Sequence, residues 1–157
     1  MIAAFQSATP LEDYILEATM TNGNCLTVHM LPYLYTVQFY PLKDIRVWKS
    51  IQVQDNFLRW NGTAEVELSI DTLLGLFKAG GSIAEASVEA GYRLRIKLTN
   101  GNAMLQDLAL LLDLPMFAPL AQKGLWKTMQ ADKRSLLWEN KDIRMELPID
   151  TLLNYFA

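Results

Sequence analysis

Ile70-Asp71-Thr72-Leu73-Leu74 returns verbatim at the end of the chain as Ile149-Asp150-Thr151-Leu152-Leu153, and Thr21-Asn22-Gly23-Asn24 returns as Thr99-Asn100-Gly101-Asn102. Working outward from these two anchors, a shift of 78 maps Tyr14, Leu16, Phe39, Pro41, Leu42, Trp48, Leu58 and Trp60 onto Tyr92, Leu94, Phe117, Pro119, Leu120, Trp126, Leu136 and Trp138. One inserted residue turns the shift into 79 for the closing Asp-Thr-Leu-Leu segment. With that single gap there are 23 identical pairs, 15 before it and 8 after, across the 64 residues from Tyr14 to Phe77. Composition alone does not produce such a match, and two copies fill the 157 residues. The chain reads as a tandem duplication, with a first repeat unit at 1–78, a second at 79–157, and glycine-rich Lys78-Ala79-Gly80-Gly81 as the linker between them.

Each structural expectation can be checked on both copies. Tyr14, Leu16, Ala18 and Met20 alternate with Ile15, Glu17 and Thr19, and Tyr92, Leu94, Ile96 and Leu98 alternate with Arg93, Arg95 and Lys97. Period two predicts a strand with one buried face. Asn22-Gly23 and Asn100-Gly101 then predict tight hairpins, since both residue types tolerate positive φ. Returning strands follow at 26–30 and 104–108, short helices at 44–50 and 123–129, and second hairpins at 57–68 and 136–147. The first of these turns at Asn61-Gly62 and returns from Glu65. Asp71 and Asp150 are placed to cap the closing helices, and residues 2–8 and 82–88 supply a leading strand. The fold class expected is α+β: two repeats of a small antiparallel-sheet unit with short helices, packed as a pseudo-twofold pair.

Bulk properties narrow the function. The formal charge of −3 lacks the concentrated basic face that nucleic acid requires. The lone Cys25 cannot form an internal disulfide, and the N-terminus shows no signal peptide; with no apolar run of membrane-spanning length, a cytoplasmic location and no membrane partner are expected.

No catalytic set is visible. Cys25 and His29 are spaced like half a metal site on a helix or loop, but they fall on a strand and no further Cys or His completes it. Neither is kept in the second copy, where Ala103 and Asp107 stand, so neither metal nor cofactor is expected. Glu65 and Glu67 project to one strand face, and copy two has Arg144 and Glu146 there; a solvated face accounts for them. The four tryptophans sit in phase with the core. Three features are left as binding candidates. Tyr33, Tyr35 and Tyr40 cluster only in copy one, where copy two has Leu111, Asp113 and Ala118. Arg93, Arg95 and Lys97 form a basic strip only in copy two. His29 is the third.

The run from a Tyr-led strand through Asn-Gly, Phe-x-Pro-Leu, a helix Trp, a strand Trp and Asp-Thr-Leu resembles the bacterial domain-of-unknown-function family 2442. Gly101, Asp107-Leu108, Phe117, Pro119, Leu120, Trp126, Trp138 and Asp150-Thr151-Leu152 follow its order most closely; copy one departs at His29, and the turns Trp60-Asn61-Gly62 and Trp138-Glu139-Asn140 depart from its usual Trp-Pro-Asn-Gly. Such domains have no assigned activity and are often encoded beside another small protein in toxin–antitoxin-like pairs. With no catalytic set, a motif of fold residues and unlike faces on the duplicated units, the expected function is a non-enzymatic protein-binding or regulatory module, antitoxin-like as the resemblance implies; the partners expected are a small protein and, separately, further copies of the chain in a homo-oligomer. The alternative is a small-ligand-binding protein with an aromatic pocket in the first repeat or between the repeats. An enzyme would need His29 to converge with acids in a cleft.

Overall fold

A computed structural model describes residues 2–61 and 66–157. It is mixed α+β, mostly antiparallel strands with a few short helices, and it divides into two units, 1–79 and 80–156. Among the described residues no helix is long and apolar enough to cross a membrane.

The first unit opens with a meander of β1 (Phe5–Pro10), β2 (Ile15–Met20) and β3 (Cys25–His29). Leu16, Ala18, Met20, Leu26 and Val28 are buried, so the period-two pattern puts Ile15, Glu17, Thr19, Cys25, Thr27 and His29 on the opposite face. Tyr14 is not the first buried strand residue that alternation suggests. It precedes β2 with φ 58, following Asp13 at φ 59, and this left-handed pair turns the chain between β1 and β2. A side chain in that region costs about 1–2 kcal/mol. Two contacts offset it: the Tyr14 ring lies 5.2 Å from that of Trp48, and its hydroxyl donates to the Lys43 carbonyl at 2.7 Å.

The β2–β3 turn also differs in type from the two-residue Asn-Gly hairpin. Only Gly23 has positive φ (89). Its N–H donates to the Met20 carbonyl at 2.9 Å, the Met20 N–H donates to the Asn24 carbonyl at 2.8 Å, and the Asn22 side chain accepts the Asn24 N–H at 3.0 Å. One left-handed glycine closing a longer loop satisfies the same strand twist with Asn22 in ordinary backbone space. Gly101, also at φ 89, does the same in the second unit, where Asn100 accepts the Asn102 N–H at 2.9 Å.

Beyond a loop at 30–44 come α1 (Ile45–Trp48), β4 (Gln52–Gln54), β5 (Phe57–Trp60), β6 (Val66–Leu68) and α2 (Ile70–Lys78). Asp44 caps α1 by accepting the Arg46 N–H at 2.9 Å. The expected turn at Gly62 and the strand start at Glu65 lie outside the described residues. β4 was not apparent from alternation because all three of its residues are exposed. It is set by Asp55 and Asn56, both at positive φ (51 and 62), a two-residue turn that pairs Gln54 with Phe57. Asp71 does not cap α2. Ser69 is the last extended residue (φ −81, ψ 165) and its hydroxyl accepts the Thr72 N–H at 3.2 Å, so Asp71 falls inside the first turn.

The second unit repeats the element order: β7 (Ile83–Glu89), β8 (Arg93–Leu98), β9 (Ala103–Asp107), β10 (Gln130–Ala131), β11 (Ser135–Glu139), β12 (Arg144–Pro148) and α3 (Ile149–Asn154). Its counterpart of α1 is only a 3-10 turn at Trp126–Thr128: Gln122 stands where Asp44 caps, and Gly124 is left-handed at φ 84. The residue before α3 is Pro148, which has no side-chain acceptor, so Asp150 is not its cap either. Gly81 is not slack linker, since a Cβ there would meet the Asn100 side chain at 2.7 Å.

Each core is built on three rings. Trp48 stacks on Trp60 at 6.2 Å and 17°, Trp126 on Trp138 at 5.7 Å and 17°, and Tyr92 tilts onto Trp126 at 5.2 Å. The Trp48 and Trp126 indole N–H groups donate to the carbonyls of Leu11 (3.1 Å) and Glu89 (2.8 Å). The Trp138 indole donates to the Trp126 carbonyl at 3.1 Å, whereas the buried Trp60 indole N–H finds no partner among the described residues.

Candidate functional site

No Asp, Glu, Lys or Arg occurs from Ala18 to Leu42. The last part of that stretch is the loop after β3, and successive short turns order it. The Tyr33 N–H donates to the Met30 carbonyl, that of Thr36 to Tyr33, that of Tyr40 to Thr36 and that of Leu42 to Phe39. Met30, Leu34, Phe39 and Leu42 are buried and anchor it. The residues between the anchors point out: Leu31 is 49% exposed, Tyr35 75%, Val37 97% and Tyr40 59%.

The three tyrosines therefore do different things. Tyr33 turns inward; its hydroxyl donates to the Leu76 carbonyl near the end of α2 at 3.0 Å, and burial raises its pKa. Tyr35 and Tyr40 converge on a residue that spacing did not single out: the Lys43 ammonium lies 4.1 Å from the Tyr35 ring centre and 4.7 Å from that of Tyr40. Among the described residues Lys43 has no ion-pair partner. The next cation, Arg46, is matched by Asp44, whose carboxylate it pairs at 3.2 Å; that hydrogen bond holds Asp44 below the usual carboxylate range.

The basic strip of the second unit is not a bare cationic face. Arg93, Arg95 and Lys97 are exposed on β8, but the flanking strands oppose them with acids: Glu89 and Asp107 sit across from Arg93, and Glu85 sits across from Lys97. Arg95 pairs with Glu89, and that hydrogen bond is the main reason the Glu89 carboxyl titrates below its usual range. An open groove of about 500 Å³ passes Glu85, Ser87, Arg95 and Lys97, so its lining carries both signs of charge.

His29 is half-buried at the end of β3, opposite Ile15. Cys25 is on the same face four residues away, which on a strand is about 13 Å, too far for both to bind one ion. Among the described residues no group of three His, Cys, Asp or Glu side chains is arranged to hold a metal. Of the paired acids, Glu65 lies outside the described residues and Glu67 is bonded to Arg59 across β5 and β6 at 3.1 Å.

Residue types alone did not reveal Leu31, Val37 and Lys43, nor the exposed Leu110, Leu114 and Met116, which stand at other repeat positions in the loop after β9. The available signal was the charge-free stretch ending at the first lysine. No family model, no curated protein and no solved structure matches the chain.

Proposed function

We propose that the chain is a non-enzymatic protein-binding module, regulatory and antitoxin-like in the sense of the family it resembles. Its architectural premise is a tandem duplication of that family's unit, with the copies packed about a pseudo-twofold axis. The observation that carries the reading is the loop at 31–40, which holds four large apolar side chains in solvent on an ordered, buried-anchor framework. Exposed apolar surface grouped on one loop in this way marks interaction sites. Presenting it on a loop that is already ordered lowers the entropy cost of association. Tyrosine is among the residues enriched at interface centres.

The small-ligand alternative is weakened by the same geometry. The space between the Tyr35 and Tyr40 rings is taken by Lys43, and the Tyr33 hydroxyl is committed to the backbone of α2.

Co-purification of the tagged full chain from its native cell, run beside a Val37→Asp variant, tests the proposal. A small protein retained in stoichiometric amount by the wild type and lost from the variant supports it. If only the chain elutes, or if a companion is retained equally by both, the loop is not the binding site and the reading fails.

A further inference from the structure

We infer that the partner segment received by the 31–40 loop is acidic and amphipathic, with apolar side chains that cover Tyr35, Val37 and Tyr40 and a carboxylate that pairs with Lys43. This deepens the protein-binding reading above and rests on it. Lys43 is fixed at the centre of the aromatic patch by two ring faces, at 4.1 and 4.7 Å, and lacks any ion pair among the described residues. Ring faces hold an ammonium in place without neutralising it. Any partner that covers Tyr35 and Tyr40 also takes that ammonium out of water, and a buried charge without a counter-charge is strongly unfavourable. The partner must therefore supply the carboxylate.

The wider charge pattern agrees. Residues 43–49 hold three cations (Lys43, Arg46, Lys49) and one acid (Asp44), a formal +2; the other charges of residues 1–79 are two cations and seven acids, a formal −5. The apolar loop is thus bordered by a segment of formal +2 in an otherwise acidic unit, and this steers acidic partners to it. A second copy of the chain is a poor occupant, because the loop carries no acid of its own and a symmetric contact brings one Lys43 towards another. An anionic membrane is also a poor one, since two net cations and a single loop give little hold on lipid.

The test is to pan a displayed library of random peptides on the immobilised full chain and on its Lys43→Glu and Tyr35→Ala variants. Both residues are exposed, and circular dichroism checks that the variants keep the fold. The expected result is enrichment of Asp or Glu beside Leu, Phe or Trp, with affinity falling on the order of tenfold or more in either variant. Lys43→Glu should also shift the enriched sequences towards Lys and Arg. Peptides that lose affinity in Tyr35→Ala but show no acidic preference overturn the inference and leave the binding-module reading standing. No enrichment sensitive to either variant overturns both. Sedimentation with phosphatidylserine vesicles, if abolished by Lys43→Glu, overturns the inference in favour of a lipid surface.

Discussion

Trp60 and Trp138 occupy matched places in the two units, each buried and each stacked on a second tryptophan, yet they differ in one hydrogen bond. Replacing each with Phe in the full chain isolates that bond. The shared part is the loss of three ring atoms from a packed core, about 2 kcal/mol by analogy with buried methylenes. Trp138→Phe also strips the Trp126 carbonyl of the indole donor at 3.1 Å, which costs a further 1–3 kcal/mol or so. Trp60→Phe does the reverse: it removes a buried N–H that has no partner among the described residues, a relief of about 1–3 kcal/mol. Trp138→Phe should therefore destabilise by about 3–5 kcal/mol, while Trp60→Phe should fall within about 1 kcal/mol of wild type. Urea unfolding followed by far-UV circular dichroism reads both, because it does not depend on the tryptophans being changed. If the units unfold in separate steps, each variant is compared with its own step. A gap of 2 kcal/mol moves the midpoint by roughly 1 M urea. Equal costs for the two variants, or a larger one for Trp60→Phe, would refute the assignment of the unpaired donor.

Two glycines should respond in opposite directions to alanine. Gly23→Ala meets no neighbouring atom but must adopt φ 89, a loss of about 1–2 kcal/mol, whereas Gly75→Ala inside α2 meets open space at ordinary φ and should gain about 0.5–1 kcal/mol; thermal unfolding of both checks this. Tyr33→Phe loses the bond to the Leu76 carbonyl, at about 0.5–1.5 kcal/mol. Because burial raises the Tyr33 pKa, its contribution is complete below about pH 10, the ordinary tyrosine value, and is lost as pH rises through the higher folded value. Wild type should accordingly lose more stability than Tyr33→Phe in alkaline urea titrations. Gln106 is buried with its amide N–H on the Leu152 carbonyl at 3.0 Å and its own carbonyl oxygen unpaired among the described residues. Since the Leu152 carbonyl keeps the Tyr155 N–H at 3.1 Å, Gln106→Met should be neutral or stabilising by about 1–2 kcal/mol in the same urea assay.

The parts of the fold legible in the sequence were those where one residue's environment follows from its own strand or turn. Period-two alternation located β2, β3, β8 and β9 to within a residue, and Asn-Gly located their hairpins though not the turn type. β4 and β10 have no buried face, so alternation carried no trace of them; for β4 the readable signal was the Asp55-Asn56 pair, two residues that accept left-handed backbone. The candidate sites were harder because they depend on neighbours distant in sequence. Arg93, Arg95 and Lys97 look cationic along one strand, but the register of β7 and β9 sets Glu85, Glu89 and Asp107 beside them. Tyr33, Tyr35 and Tyr40 look like one cluster by spacing. The turns of the loop send Tyr33 towards α2 and the other two towards Lys43.

That divergence explains why binding should concentrate on the first unit although both units expose apolar loops. In each unit one side chain donates to a carbonyl of the closing helix, and it comes from a different element in each. In the first, Tyr33 donates from within the loop, so the loop is tied to α2 by a hydrogen bond as well as by Leu34, Phe39 and Leu42. In the second, Leu111 replaces Tyr33 and cannot donate; Gln106 on β9 does so instead, where the first unit has the apolar Val28. The loop carrying Leu110, Leu114 and Met116 therefore lacks the side-chain tie to its helix that Tyr33 provides, and it lacks the aromatic pair with its caged cation. A partner that uses the first loop meets apolar groups already held in position, with a fixed charge at their centre. One that uses the second meets Leu110, Leu114 and Met116 on a loop held by its own turns and by Phe117 against Tyr155, but without a ring-caged cation to add charge recognition to the apolar contact.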